Sequence, residues 1–332
     1  MKNIYILFYF FSIFLVAENY EPFQSTYEPL PPTNTIFRNA NIYDGEGNEL
    51  INTDLIIKDG KVVAIGIDLP SSDDLKEIDA SGKWITPGII DIHSHMGVYP
   101  APSVKTSSDG NEATSPVTAE VWAEHSIWVQ DPQYALALKG GVTTFHVLPG
   151  SANLIGGRGV TAKNLQRNTI TSMKFPNAPH SLKMACGENP KRVYGNRGQM
   201  PSTRMGNAAG YRKSWIKAQS YLSKLDEYEA KSDEAKELSY KPTRDLELET
   251  LAGVLRDEIL VHNHCYRADE MATMIDIAKE FNYKITAFHH GVEAYKIADL
   301  LADNGICGAL WADWWGFKHE AYDMVQANIA IV

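Results

Sequence analysis

The run ITPGIIDIHSHMG (residues 85–97) is apolar and strand-like until it reaches Asp91, His93 and His95. Successive side chains of a strand point to opposite faces, so residues two apart share one face. The spacing therefore sets His93 and His95 side by side and turns Ser94 away. Two neutral imidazoles on one face are a ligand pair for a borderline divalent metal, zinc foremost. A lone strand-end histidine carries no such implication, and the pair needs partners from elsewhere in the chain.

Two further stretches offer them. VHNHCYRADE places His262 and His264 at the end of a second apolar run, and AFHHG places His289 and His290 at the end of a third. In a closed parallel barrel every strand C-terminus opens on one mouth. Histidines distant in sequence then converge there. Adjacent His289 and His290 cannot both face inward, so one of them is expected to be structural or supporting.

The elements that must position these groups follow from periodicity. Residues 35–84 alternate apolar and polar positions, and Asp59-Gly60 between two such runs signals a short hairpin. This predicts a small antiparallel β unit. Beyond Gly97, short strand candidates alternate with longer helical stretches: GVTTFHVL, RGVTAKN, HSLKMAC, EILVHNH, YKITAFHH and ICGALWA, with helices expected over 132–139, 212–240, 268–281 and 293–304. Such alternation predicts parallel βα units. The charged stretch 213–249 reads as a solvated helical face or an insertion.

Composition narrows the partners. The chain has 332 residues, 44% of them hydrophobic, enough for one large core or a core plus a small domain. Its net charge of −10 and scattered basic residues argue against nucleic acid and anionic membrane surfaces. Cys186, Cys265 and Cys307 are far apart, form no CxxC and predict no disulfide framework. Lys2, an apolar run over 4–16 and Ala17 have the layout of a secretory signal peptide, expected over residues 1–17, so the mature protein is expected to be exported, periplasmic or extracellular. Residues 18–34, rich in proline and polar residues, read as an extended lead-in.

From about Ile36 onward the chain resembles the amidohydrolase superfamily, nearest its imidazolonepropionase-like metal-dependent hydrolases. The resemblance rests on ITPGIIDIHSHMG, GGVTTFHVLPGSANLIGGRG, LKMACGENPKRVYG, VHNHCYRADEM and FHHGVEAYKIAD. It implies a distorted (β/α)8 TIM barrel over residues 86–332, with a β-sandwich subdomain whose N-terminal part is residues 35–85. It implies metal ligation by His93, His95, His262 and His290, with His289 the alternate for the last, and substrate contact by His264. A bridging group is expected where two metals bind. Glu188 can serve as it stands and is favoured; Lys183 would first need carboxylation.

The implied chemistry is hydrolysis of an amide, cyclic amide or peptide-like carbon–nitrogen bond by metal-activated hydroxide, with one or two ions, zinc first. The oxyanion would be stabilised by the metal and by His264 or His289. The superfamily's general base is an Asp ending the eighth strand. Seven barrel strands are countable before Val332, and Asp313 belongs to the seventh strand or its loop. The chain is therefore expected to be C-terminally truncated and inactive alone as a hydrolase. The competing reading is an inactive or ligand-binding barrel; isomerisation or decarboxylation is a weaker third. Specificity on such a barrel lives in its βα loops. Lys191, Arg192, Arg197 and Arg204 in ENPKRVYGNRGQMPSTRMGN would meet a substrate carboxylate or serve as surface charges. The expected partner is a small amide-type molecule, with homo-oligomerisation left open.

Overall fold

The computed structural model describes residues 23–314 and 316–332. The expected signal peptide lies outside them, as do residues 18–22 of the lead-in. The rest of the lead-in is docked: Ser25 Oγ donates to the Lys174 carbonyl at 2.6 Å, and the Phe23 ring packs 4.6 Å from that of His125.

Five strands form the first sheet: β1 (Thr35–Tyr43), β2 (Glu49–Lys58), β3 (Lys61–Gly66), β4 (Lys76–Asp79) and β5 (Trp84–Ile85). Their order is β3-β2-β1-β4, with β5 also pairing β1. The hairpin at Asp59-Gly60 forms as expected, both residues taking positive φ (50° and 74°), as a two-residue primed turn requires. The unit is mixed rather than antiparallel, because β4 and β5 return parallel to β1. This is one sheet, and the second layer of the expected sandwich is not among the described residues. Val62, Val63 and Ile65 on β3 are exposed.

The second sheet carries the histidines. It contains β6 (Ile89–Ser94), β7 (Val142–Val147), β8 (Ile155–Lys163), β9 (His180–Ala185), β10 (Ile259–Cys265), β11 (Ile285–His290) and β12 (Cys307–Leu310), in the order β12-β11-β10-β9-β8-β7-β6. All seven strand candidates are strands. One runs against expectation: β8 is antiparallel to both β7 and β9, while the remaining pairs are parallel. Between β7 and β8 lie only seven residues, too few for a parallel crossover. The sheet curls into a nearly closed barrel, since His93 on β6 reaches His289 on β11. As the end strand, β6 is not the buried strand its apolar run suggests: Ile89, Ile90 and Ile92 are exposed.

Helices flank this sheet: α1 (Gln133–Lys139), α2 (Glu188–Gly195), α3 (Arg204–Glu229), α4 (Asp233–Glu237), α5 (Leu246–Leu255), α6 (Ala268–Phe281), α7 (Ala298–Asp303) and α8 (Asn328–Ile331). α6 shows why they form. Met271, Met274, Ile275, Ala278 and Phe281 make one apolar stripe, Asp269 and Glu270 favour its N-terminal dipole end, and Asn282 closes it in the left-handed conformation. That stripe packs with Tyr211 and Trp215 of α3 and with Leu182, Met184 and Val261 of the sheet, forming the main core. None of the described helices is long and apolar enough to cross a membrane.

Cys186 and Cys265 are joined in a disulfide, contrary to the reading of the isolated cysteines. A sequence separation of 79 hides their proximity. His264 on β10 pairs with Ala185 on β9, so the next residue of each strand meets across the ladder.

Candidate functional site

The C-terminal ends of β6, β10 and β11 bring four imidazoles into one hydrogen-bonded chain. His95 Nδ1 lies 2.7 Å from the Leu148 carbonyl, which can only accept, so that nitrogen carries the proton. His95 Nε2 is then an acceptor for His93 Nε2 at 3.3 Å. His93 Nδ1 accepts from His289 Nδ1 at 2.8 Å, and His289 Nε2 accepts from His262 Nδ1 at 2.8 Å. One proton per ring satisfies every link and leaves a lone pair on His262 Nε2. All four rings are neutral in this pattern. Burial, reinforced by the nearby Lys183 ammonium, pushes His95 and His262 down to about 4, and His289 down to about 2 through burial first and His262 next.

Lys183, on β9 opposite His262, is fully buried, and its Nζ donates to the Pro149 carbonyl at 3.0 Å. Burial lowers it to about 7. Beneath His262 stacks His146 of β7, with ring centroids 4.9 Å apart. Its two nitrogens are held by Thr161 Oγ1 at 2.8 Å and Ser181 Oγ at 2.9 Å. The candidate set named no role for His146, although its place near the end of a barrel strand was visible in GVTTFHVL.

The remaining candidates flank this chain, with His264 and His290 buried. His264 Nδ1 lies 3.0 Å from Ser151 Oγ and its Nε2 lies 3.3 Å from Asn189 Nδ2. Lys318 Nζ donates to Asn189 Oδ1 at 2.9 Å, which fixes the amide with its NH2 toward His264. His264 is thereby held with its proton on Nδ1. Neither Asn189 nor Lys318 was legible as a site residue; they lie 129 positions apart. Glu188 opens α2, and its carboxylate lies 3.4 Å from Lys318 Nζ. His290 leaves the strand with φ of 72° and packs against Trp311 and Trp314 at 4.4 and 5.2 Å, its Nδ1 buried and without a partner. Of the adjacent pair, His289 hydrogen-bonds His93 and His262, while the His290 ring also lies 4.8 Å from that of His93. Of the loop cations, Arg204 pairs with Glu270 and Glu320, and Arg197 donates to the Ala113 carbonyl.

Among the described residues no three His, Cys, Asp or Glu side chains already form a cage for an ion. The donor set nevertheless fits one. Ligands about 2.0–2.1 Å from a tetrahedral ion lie about 3.3–3.4 Å from each other. The His93 and His95 Nε2 atoms are 3.3 Å apart, and neutral imidazoles are the form that binds metal.

No family model matches the chain. Over 293 residues it is 33% identical to the amidohydrolase tasK of Hapsidospora irregularis, spanning 81% of this chain and 29% of that protein. A solved amidohydrolase from Thermotoga maritima superposes with a TM-score of 0.80 at 37% identity, covering 90% of this chain and 75% of the other. The chain belongs to the amidohydrolase superfamily. A dihydroorotase of Lactobacillus helveticus is 41% identical over 61 residues, 18% of this chain and 13% of that one. This amidohydrolase-family chain thus spans less than a third of the curated relative it matches over most of its own length.

Proposed function

We propose that this chain carries the metal-binding site of a hydrolase acting on carbon–nitrogen bonds of small amide-type molecules. The observation that carries the reading is the His93–His95 nitrogen pair at tetrahedral ligand spacing, chained to His289 and His262. His93 and His95 would hold a divalent metal through these nitrogens, zinc first by ligand chemistry, and His289 and His262 would join it only by giving up the hydrogen bonds that now chain them to His93. A metal there supplies Lewis acidity toward a carbonyl and lowers the pKa of a water. Lys183, once carboxylated by carbon dioxide, would offer oxygen donors to a metal here; Glu188 would first have to leave Lys318.

The chain's own residues set the rest. Ser151 and Asn189 fix the tautomer and tilt of His264, so that its ring faces the mouth in one orientation. Trp311 and Trp314 wall His290 and limit water on that side. The name of the dihydroorotase relative supports a cyclic amide as one substrate class. Export to an oxidising compartment is proposed with this function, on the leader layout and the Cys186–Cys265 bond.

A second reading, binding without turnover, has its own support. No carboxylate among the described residues hydrogen-bonds an imidazole of this group; Asp91 accepts the His93 backbone N–H, and Asp313 accepts from Gln326. A proton acceptor beside the attacking water typically contributes about 10²–10⁴-fold. The deciding experiment is metal analysis of the purified protein combined with hydrolysis of open-chain and cyclic amides. Bound metal with turnover supports the first reading, bound metal without turnover the second, and no metal after loading with zinc rejects the histidine centre.

A further inference from the structure

A second polar centre lies away from the imidazoles, between α3 and α6. There two carboxylates, Glu270 and Glu320, share the guanidinium of Arg204. Glu320 is fully engaged, because its other oxygen accepts the Glu188 backbone N–H at 3.0 Å. It enters over Gly187, where a Cβ would lie 2.6 Å from its oxygen and where φ of +77° favours glycine. Glu270 is poorly served. Its Oε1 lies 3.1 Å from Arg204 Nε without hydrogen-bond geometry, and its Oε2 has no partner.

Both glutamates are more than nine-tenths buried, Glu270 at 8% and Glu320 at 4% exposure. One guanidinium cannot neutralise two buried carboxylates, and a buried uncompensated charge is costly. A cavity of about 200 Å³ adjoins Glu270. Its wall includes Asn207, 3% exposed, whose Nδ2 donates to the Gly187 carbonyl at 3.1 Å and whose Oδ1 has no partner. Two orphaned oxygens, one anionic and one neutral, therefore border one space. With Glu270 ionised both are acceptors only, so the partner that suits them is a donor with positive charge.

We propose that this cavity is a binding site for a small primary alkylammonium ion, separate from the histidine centre. The ammonium group would donate to Glu270 Oε2 and Asn207 Oδ1 after a small side-chain rotation. Its third proton would meet the Thr273 hydroxyl, which already donates to the Asp269 carbonyl and retains its lone pairs. Ala208, Tyr211, Met274 and Ile277 supply an apolar sleeve for a short alkyl chain. That sleeve disfavours a hydrated metal ion, which would set water against Met274 and Ile277. The cavity also reaches Cys186, at the end of the strand leading to Gly187 and Glu188.

The test is calorimetric titration of the full chain, at mildly alkaline pH, with n-butylammonium chloride, 1-butanol, sodium chloride and calcium chloride. The alkylammonium should bind saturably and at least ~10-fold more tightly than the isosteric alcohol, the discrimination expected of hydrogen bonds to a charged acceptor. Glu270→Gln should erase that preference. The comparison of probes on the unmodified protein does not depend on the variant folding. Equal binding of amine and alcohol, tighter binding of sodium or calcium at the same site, or no saturable binding of the amine would each overturn the proposal.

Discussion

His93 and His95 present their Nε2 atoms 3.3 Å apart from neighbouring same-face positions, and the other imidazoles reach the chain only through His93. Replacing both with alanine should therefore reduce bound zinc from near-stoichiometric to background, read by elemental analysis, with circular dichroism confirming the fold. Retention of the metal at the original stoichiometry would sink the histidine reading. Asn189 has a subtler task. Asn189→Leu removes the donor to His264 Nε2, so histidine nitrogen NMR should show His264 passing from one fixed tautomer to an exchanging pair; an unchanged spectrum would mean that Ser151 alone orients the ring. The His93–His95 pair was legible because a strand's period of two needs no tertiary knowledge. The choice between His289 and His290 was not. Alternation says that only one faces inward, yet both rings lie 4.8 Å from that of His93, because the left-handed backbone of His290 breaks the alternation. Lys318 and Asn189 meet through the fold alone.

Elements were more legible than their directions. The α6 stripe and the Asp59-Gly60 hairpin appear where periodicity places them, since each is fixed by local residues. The reversal of β8 was not readable from its own apolar pattern, which is the same for either strand direction. The Cys186–Cys265 bond was hidden likewise, because it is set by the register of β9 on β10. Closing a loop across 79 residues restricts the unfolded chain, which in the chain-entropy model stabilises the fold by about 4 kcal/mol. The Cys186→Ser, Cys265→Ser double variant should therefore melt several degrees lower, and a reductant should lower the wild type alone. The α3–α6 contact makes a different prediction. Burial first, then Glu320, raises the Glu270 pKa well above the usual carboxylate range, against Arg204, while Tyr211 of α3 is the other titratable neighbour. Between the ordinary carboxylate pKa and neutrality the folded form holds a proton that the unfolded chain has lost, so stability falls as pH rises through that window. In amine-free buffer, Glu270→Gln should match the wild type in melting temperature near about pH 5 and exceed it near about pH 8. Parallel curves across that range would place the strain elsewhere.

At the scale of the whole molecule, the second sheet and its helices bury the main core beside the histidine mouth, the first sheet keeps smaller clusters of its own, and the N-terminal lead-in is stitched onto the barrel's surface. Lys174 Nζ donates to the Phe23 carbonyl at 2.8 Å, and Thr26 N–H to the Thr171 carbonyl at 2.9 Å. The folded body thus grips the chain from Phe23 onward, six residues beyond Ala17. Under the proposed export, a signal peptidase would cut ahead of this gripped segment. The disulfide argues independently for the same destination, because such bonds persist in oxidising compartments and are rare in reducing ones. Expression in a secreting host should therefore give a mature protein that begins close to Glu18, by N-terminal sequencing, and contains the Cys186–Cys265 bond, by peptide mapping under non-reducing conditions, with Cys307 remaining a thiol. Exported material that still begins at Met1 would exclude cleavage. Protein confined to the cytosol with Cys186 and Cys265 reduced would exclude export itself, and the disulfide would then play no part in holding β9 to β10 in the cell.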